Sequence, residues 1–191
     1  MHNKTRDLDA EYLRADLSDH RFENVLEVGC GTGKNTKWLL QHSRVTGIDF
    51  SSEMLKRCKT VAPDAQLHQA DLNEPWPIEN QQVNLVLFSL VLEHIEDLDH
   101  IAWETARVLT PGGRVRISEL HPLRQLEGKK ARFMNGEELI EIPAFTHTIE
   151  EYKRAFTEAS FQFDSMCEPR AKSDPSERPP RLIILEFALC G

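Results

Sequence analysis

Val25-Leu26-Glu27-Val28-Gly29-Cys30-Gly31-Thr32-Gly33 is an apolar run that passes directly into a turn with glycine at every second position, and a segment of helical spacing follows it. A strand feeding such a turn brings a ligand against bare main chain, because glycine has no Cβ to block the approach and accepts positive φ. The helix behind the turn offers unpaired N–H groups to an anionic group. Asp49 closes the next apolar run about 20 residues after the first glycine, where a carboxylate can accept both hydroxyls of a ribose. Turn and acid together point to a nucleoside-containing cofactor. A dinucleotide turn asks for G-x-G-x-x-G, whereas here Gly33 falls one position early and Lys34 takes the place of the last glycine. An NAD-linked oxidoreductase is therefore the lesser reading.

Outward from this turn, short β-branched runs alternate with longer stretches of helical spacing, the pattern of βαβ units and a parallel sheet covered on both faces. Residues 24–28, 45–48, 66–69, 83–88, 114–118, 161–167 and 182–189 read as seven strands. Ser51 is a favourable N-cap for a helix carrying Met54, Cys58 and Val61 on one side. Ala102, Ala106 and Leu109 mark a helix over residues 100–109, which Pro111-Gly112-Gly113 should stop. Thr148-Ile149-Glu150-Glu151 fits a capping box that opens a helix reaching Ser160.

Three regions fall outside this rhythm. Residues 1–20 read as a leading helix across the sheet edge, with Leu8, Tyr12 and Ala15 on one face and Leu13 and Leu17 on another. Residues 121–147, with their charges, weak strand signals and a turn at Gly136, are expected to form a substrate lid. Residues 168–181 are rich in Pro, Ser and charge and read as an exposed connection.

The 191 residues suit one domain spanning 1–191, long enough to bury a core without disulfides or structural metal. A net charge of −8 opposes the phosphate-neutralising surface that nucleic-acid binding needs. The apolar run from Leu85 to Leu92 is far short of the roughly 20 residues that span a bilayer, and the N-terminus is dotted with charge. Cys30, Cys58, Cys167 and Cys190 show no paired spacing and read as reduced thiols, so a cytoplasmic protein with no zinc site is expected.

With Glu27 two residues before Gly29, the glycine turn resembles motif I of the class I S-adenosylmethionine-dependent methyltransferases. The resemblance extends through most of the chain. Ile48-Asp49-Phe50-Ser51 is similar to the family's ribose-binding acidic loop and Ala70-Asp71-Leu72 to its adenine loop. Phe88-Ser89-Leu90-Val91-Leu92-Glu93-His94 is similar to the end of its fourth strand, and Leu109-Thr110-Pro111-Gly112-Gly113 to the turn into its fifth. The resemblance implies a Rossmann-like three-layer α/β/α sandwich with a seven-stranded mixed sheet, its last strand antiparallel. It also implies that S-adenosylmethionine binds and leaves as S-adenosylhomocysteine. Gly29, Gly31 and Gly33 would carry the methionine end, with Glu27 near its ammonium and the Ser89 carbonyl facing it. Asp49 would take the ribose, Phe50 would pack on the adenine, and Asp71 with the Leu72 backbone would meet its amino edge. Asn84 stands where many relatives have Asp, a structural position. His121-Pro122-Leu123-Arg124-Gln125 and the residues around Gly128 to Phe133 are also similar to a subgroup of small bacterial-type methyltransferase domains.

A sulfonium is already an activated methyl donor, so the protein must mainly align an acceptor and, where needed, remove its proton. His94 after the fourth strand and His121 at the end of the fifth are the candidate bases, since imidazole accepts a proton near neutral pH. His147 faces the site from the lid in this reading. Arg124, Lys129, Lys130 and Arg132 gather positive charge in the lid, and Arg124 and Arg132 are expected to bind an anionic group on the acceptor. Ser89-Leu90-Val91-Leu92 stands where base-amine methylating enzymes of the class carry Asn/Asp-Pro-Pro-Tyr/Phe, which disfavours a nucleobase amine. Glu93, His94, Asp97, Asp99 and His100 match no familiar metal spacing. The expected function is O-methylation of an anionic small molecule. The alternatives are methylation of tRNA or protein, and a cofactor-binding domain without turnover; oligomeric state is open.

Overall fold

The computed structural model describes residues 3–18, 20–127, 132–135, 138–141 and 144–190, and of 132–141 the backbone alone. The strands are β1 (Asn24–Val28), β2 (Arg44–Asp49), β3 (Gln66–Gln69), β4 (Val83–Ser89), β5 (Leu109–Leu120), β6 (Arg132–Asn135), β7 (Glu138–Glu141), β8 (Phe161–Cys167) and β9 (Leu182–Leu189). The helices are α1 (Lys4–Leu17), α2 (Lys34–Leu39), α3 (Ser52–Val61), α4 (Leu98–Val108), α5 (Pro122–Gln125) and α6 (Ile149–Glu158), with a 3-10 turn at Leu92–His94. Seven strands form one sheet in the order β3-β2-β1-β4-β5-β9-β8, and β6 and β7 pair as a separate antiparallel hairpin. β3, β2, β1, β4 and β5 are mutually parallel, while β9 runs antiparallel to both β5 and β8. The expected α/β sandwich with an antiparallel last strand is thus present. Strand order reverses between β1 and β4, so the carboxyl ends of these two strands open the crevice where sheets of this kind hold ligands.

Each face of the sheet takes alternate residues of the central strands, which is why β4 reads as an unbroken apolar run. Leu85 and Leu87 join Val25, Val45, Leu39 and Leu13 on one face; Val86 and Phe88 join Leu26, Ile101, Phe156 and Phe187 on the other. Asn84 ties β4 to its neighbours at their starts, accepting from the Asn24 amide at 2.9 Å and donating to Thr110 Oγ1 at 3.5 Å.

α1 does not lie at the sheet edge. Leu13 packs on the central strands, and Asp9 and Asp16, two turns apart on one helix face, reach Arg116 in the middle of β5. α4 starts two residues before the expected position because the Asp97 carboxylate caps the amides of Asp99 and His100. Its buried stripe is Leu98, Ile101, Ala102, Thr105 and Val108; of the expected Ala102, Ala106 and Leu109, Ala102 lies in it and Leu109 is buried as the first residue of β5. Pro111-Gly112-Gly113 is not the stop: Leu109 is already extended and paired with Val83, and the Pro-Gly-Gly stretch fills a register shift inside β5. Thr148 and Glu151 form the capping box of α6, which ends at Glu158. The 168–181 connection is pinned rather than loose, since Asp174 receives Arg124 and Arg181 and the Pro169 carbonyl receives the Arg181 amide.

Candidate functional site

The first turn holds three glycines at positive φ, +70° at Gly29, +53° at Gly31 and +80° at Gly33. Two of them are demanded by the protein's own packing. A Cβ on Gly29 would lie 2.4 Å from Val91 Cγ2, and one on Gly33 2.7 Å from Cys58 Sγ. At Gly31 a Cβ would meet nothing nearer than the Gly29 carbonyl at 4.0 Å, so the main chain here borders open space. The Gly29 and Cys30 amides both donate to the Ile48 carbonyl, at 2.8 and 3.1 Å, which binds the turn to the end of β2. Asp49, the last residue of β2, completes the join: Oδ2 accepts from the Gly31 amide and Oδ1 from the Ser51 amide, each at 2.8 Å. Phe50 beside it leaves its ring 69% exposed, an unusual state for an aromatic next to a crevice. The Gln69 side chain donates through Nε2 to the Phe50 carbonyl at 3.0 Å, linking this loop to the one carrying Asp71. Asp71 accepts from the main-chain amide of Asn73 and then its side chain, bonds that hold its carboxyl below the usual range. Leu72 is buried behind it.

Glu27 lies beneath the turn, buried on β1, with its carboxyl taking the Thr36 hydroxyl. Burial pushes its pKa up to about 8 against that hydrogen bond, and the carboxylates of Asp9 and Asp49 add to the rise. At neutral pH it is largely an uncharged acid, ready to ionise when a cation approaches.

The exit of β4 is the second half of the site. The Ser89 hydroxyl donates to Asp9 of α1 and accepts from the Asn35 side chain at 3.2 Å, so α1, α2 and β4 meet there. Leu90 then adopts φ +56°, a strained conformation for leucine. Glu119 at the end of β5 holds that turn: its Oε1 accepts the amides of Val91 at 2.9 Å and Leu92 at 2.8 Å. Its Oε2 is buried and has no hydrogen-bond partner among the described residues. Burial, opposed by those two amides, raises its pKa to about 8, with Glu93 and Asp9 adding to the rise. Glu93 is likewise raised by burial, the nearby His94 pulling the other way. The Phe145 amide donates to the Glu93 carbonyl at 2.8 Å, bringing the end of the 121–147 segment onto this turn.

Glu119 and Asp9 were missing from the sequence-derived site. The signal that marks Glu27, a carboxylate on an otherwise apolar strand, is missing at Glu119, whose strand also carries Arg114, Arg116 and Ser118, and nothing in the sequence places Asp9 beside Ser89.

The predicted histidines and arginines scatter. His94 stays at the β4 exit, 3.8 Å from Glu93. His121 is buried with both ring nitrogens engaged: Nδ1 accepts the Leu123 amide at 3.2 Å, which puts the proton on Nε2, and Nε2 donates to Glu168 at 2.8 Å. It caps α5 and anchors the 168–181 connection, so it is not placed as a free base. His147 is buried, its Nε2 donating to the Ile95 carbonyl at 2.7 Å and its ring edge-on to Tyr152. Arg124 is buried against Asp174 at 2.6 Å and donates to the carbonyls of Pro179 and Pro180. Its guanidinium is spent on the protein itself, which corrects its assignment to the acceptor. Lys129, Lys130, Gly136 and the side chain of Arg132 lie outside the described residues. Two surface cavities, one bordered by Asn80, Arg107 and Pro111 and the other by Asn24, Arg44 and Gln66, open at the amino ends of the strands and touch none of these groups.

Residues 26–117 match the family model described as "Methyltransferase domain". Among curated proteins, the chain is 32% identical over 121 residues to a malonyl-[acyl-carrier protein] O-methyltransferase of Enterobacter lignolyticus, covering 63% of this chain and 48% of that protein. It is 34% identical over 123 residues to a phosphatidylethanolamine N-methyltransferase of Cereibacter sphaeroides, covering 58% of this chain and 60% of that one. The chain spans about half the length of the curated relatives it matches. Its fold matches a solved structure titled as a putative S-adenosylmethionine dependent methyltransferase from Listeria monocytogenes with a TM-score of 0.79 and 22% identity, over 97% of this chain and 99% of that one.

Proposed function

We propose that this chain, whose residues 26–117 match the methyltransferase domain model, is a class I S-adenosylmethionine-dependent methyltransferase that transfers the methyl group of S-adenosylmethionine to a small-molecule acceptor. The observation that carries this reading is the join between Gly31 and Asp49, with open space above the glycine and the Phe50 ring bare beside it. A Cβ at Gly31 would fill that space, and an exposed aromatic beside a carboxylate is a ready platform for a nucleoside. The residues present therefore fit the cofactor.

When bound, S-adenosylmethionine supplies an activated methyl group on a sulfonium. The chain's own residues do the rest. Asp49, oriented by the Gly31 and Ser51 amides, keeps lone pairs for ribose hydroxyls, and Phe50 and Asp71 would hold the adenine. Glu27, neutral until a cation arrives, would answer the ammonium of the methionine end. The β4 exit, with Ser89, Glu93, His94 and Glu119, borders the acceptor space, and the β6–β7 hairpin with its flanks would close over it as a lid. His94 is the remaining imidazole that could accept a proton there.

O-methylation of an anionic metabolite loses Arg124 as its cation, and Lys129, Lys130 and Arg132 are the lid cations left to that finer reading. The named relatives include both an O- and an N-methyltransferase and so do not choose the atom. The reduced thiols of Cys30 and Cys58 fit a cytoplasmic setting. Among the described residues no helix is long and apolar enough to cross a membrane.

The test is calorimetry with S-adenosylmethionine, S-adenosylhomocysteine and NAD, followed by a labelled-methyl screen of metabolite, tRNA and protein fractions. Binding of the first two but not NAD, with label in small molecules, is the expected result. Label confined to macromolecules overturns the small-molecule acceptor, and tight binding with no label anywhere leaves a cofactor-binding domain without turnover.

A further inference from the structure

The β4 exit gathers two acids, the buried Glu119 and the half-buried Glu93, against one imidazole, His94. Glu119 is completely buried, one oxygen held by two amides of the strained Leu90–Leu92 turn and the other bare. The titratable groups around it are Glu93 from that turn, with His94 3.8 Å from Glu93, Asp9 from α1 and Tyr152 from α6, with Arg116 held behind Asp9 at 3.7 Å and bound to Asp16. Among the described residues no lysine or arginine pairs with Glu119 or Glu93. Holding the turn needs only Oε1; nothing in the packing explains why the second oxygen is a carboxyl oxygen rather than carbon, and a buried polar atom without a partner is costly.

We propose that Glu119 receives the methyl acceptor, and that the acceptor presents an aliphatic amine to its Oε2. This rests on the methyl-transfer reading and names the substrate class for it. As the ammonium docks, the carboxyl releases its own proton to solvent; the ammonium then donates to the carboxylate Oε2 and passes a proton there: the N–H bond breaks, an O–H bond forms, and the electron pair stays on nitrogen as the lone pair a methyl acceptor must have. Glu93, half-buried beside it, keeps the space hostile to carboxylate or phosphate. Burial and its acidic neighbours hold Glu119 protonated at neutral pH, so an incoming ammonium must displace a proton to form the ion pair.

The experiment pairs labelled-methyl transfer to matched panels of aliphatic amines, alcohols and carboxylic acids with calorimetry of amine binding to the S-adenosylhomocysteine complex in buffers of different ionisation enthalpy. Amines should take the label, and amine binding at pH 7 should release about one proton. Glu119→Gln keeps an oxygen for the Val91 and Leu92 amides and changes only the bare position. It should lower kcat/KM for amines about 100-fold and abolish the proton release while S-adenosylhomocysteine affinity holds. Label only in alcohols or acids, or undiminished amine transfer in Glu119→Gln, overturns the inference and leaves the methyltransferase standing. If the variant does not fold, the wild-type panel and its proton release decide alone: unlabelled amines overturn it. Failure to bind S-adenosylmethionine at all removes the function and this inference together.

Discussion

Gly29 and Gly31 are neighbours in one motif yet do different work, and substitution separates them. Gly29→Ala meets both a φ of +70° and a side chain 2.4 Å away, so it should cost about 1–3 kcal/mol in urea denaturation. Gly31→Ala pays only for its φ, about 1–2 kcal/mol, but puts a methyl into the open space. It should weaken S-adenosylhomocysteine about tenfold or more by calorimetry; equal binding to wild type would show that the ligand does not lie on Gly31. Glu27 carries a pH signature. Its folded pKa, about 8, stands above the ordinary 4.5, so the folded state holds the proton more tightly than the unfolded chain does. The contribution is full below pH 4.5 and is lost as pH rises through 8. Glu119 behaves alike, so Glu27→Gln should flatten only part of the fall in Tm between pH 5 and 8. A slope unchanged in Glu27→Gln would refute the shift. Glu27 stands out in the sequence as an acid on an apolar strand, whereas Glu119 follows Arg114, Arg116 and Ser118 and does not; in both, which oxygen finds a donor is a matter of packing.

At the level of elements, α1 shows how a weak amphipathic pattern can mislead. Its stripe is untidy because the face that meets the sheet carries charge: Asp9 and Asp16 flank the buried Arg116, with Leu8 and Leu13 beside them. Hydrophobic spacing cannot reveal a helix docked by a salt bridge to a strand residue a hundred positions away. Asp16→Ala should cost about 2–3 kcal/mol, short of the 3–5 for a fully orphaned buried charge because Asp9 stays near Arg116. The double variant Asp16→Ala with Arg116→Met should recover much of it; no recovery would mean that Asp16 acts some other way. Since Asp9 also takes the Ser89 hydroxyl, α1 is built into the wall of the site rather than appended to the fold. Strands fared better, because β1, β3, β8 and β9 are bounded by sharp composition changes. The start of β5 did not, since Leu109 pairs with Val83 before the Pro-Gly-Gly kink, a tertiary choice.

For the molecule as a whole, the clamp of Arg124 and Arg181 on Asp174 fastens the last connection to α5. Arg124→Gln should lower stability by about 2–4 kcal/mol and leave S-adenosylhomocysteine affinity unchanged. A rise in acceptor KM with full stability would restore Arg124 to the acceptor site. The arginines, Arg181 first, hold the Asp174 carboxyl below its ordinary value of 3.8 against the effect of burial. Its contribution is present above pH 3.8 and is lost as pH falls below it.

Strand periodicity was sufficient by itself to determine the sheet, and the glycine turn with the acid at the next strand end carried the resemblance from which the cofactor edge is proposed, because these depend on local backbone demands that residue types record directly. The placement of the candidate acceptor-side residues was decided only by tertiary packing. Histidines and arginines are equally at home as structural donors, and only the fold sends His121 to Glu168, Arg124 to Asp174, and leaves Glu119 with an oxygen that nothing else claims.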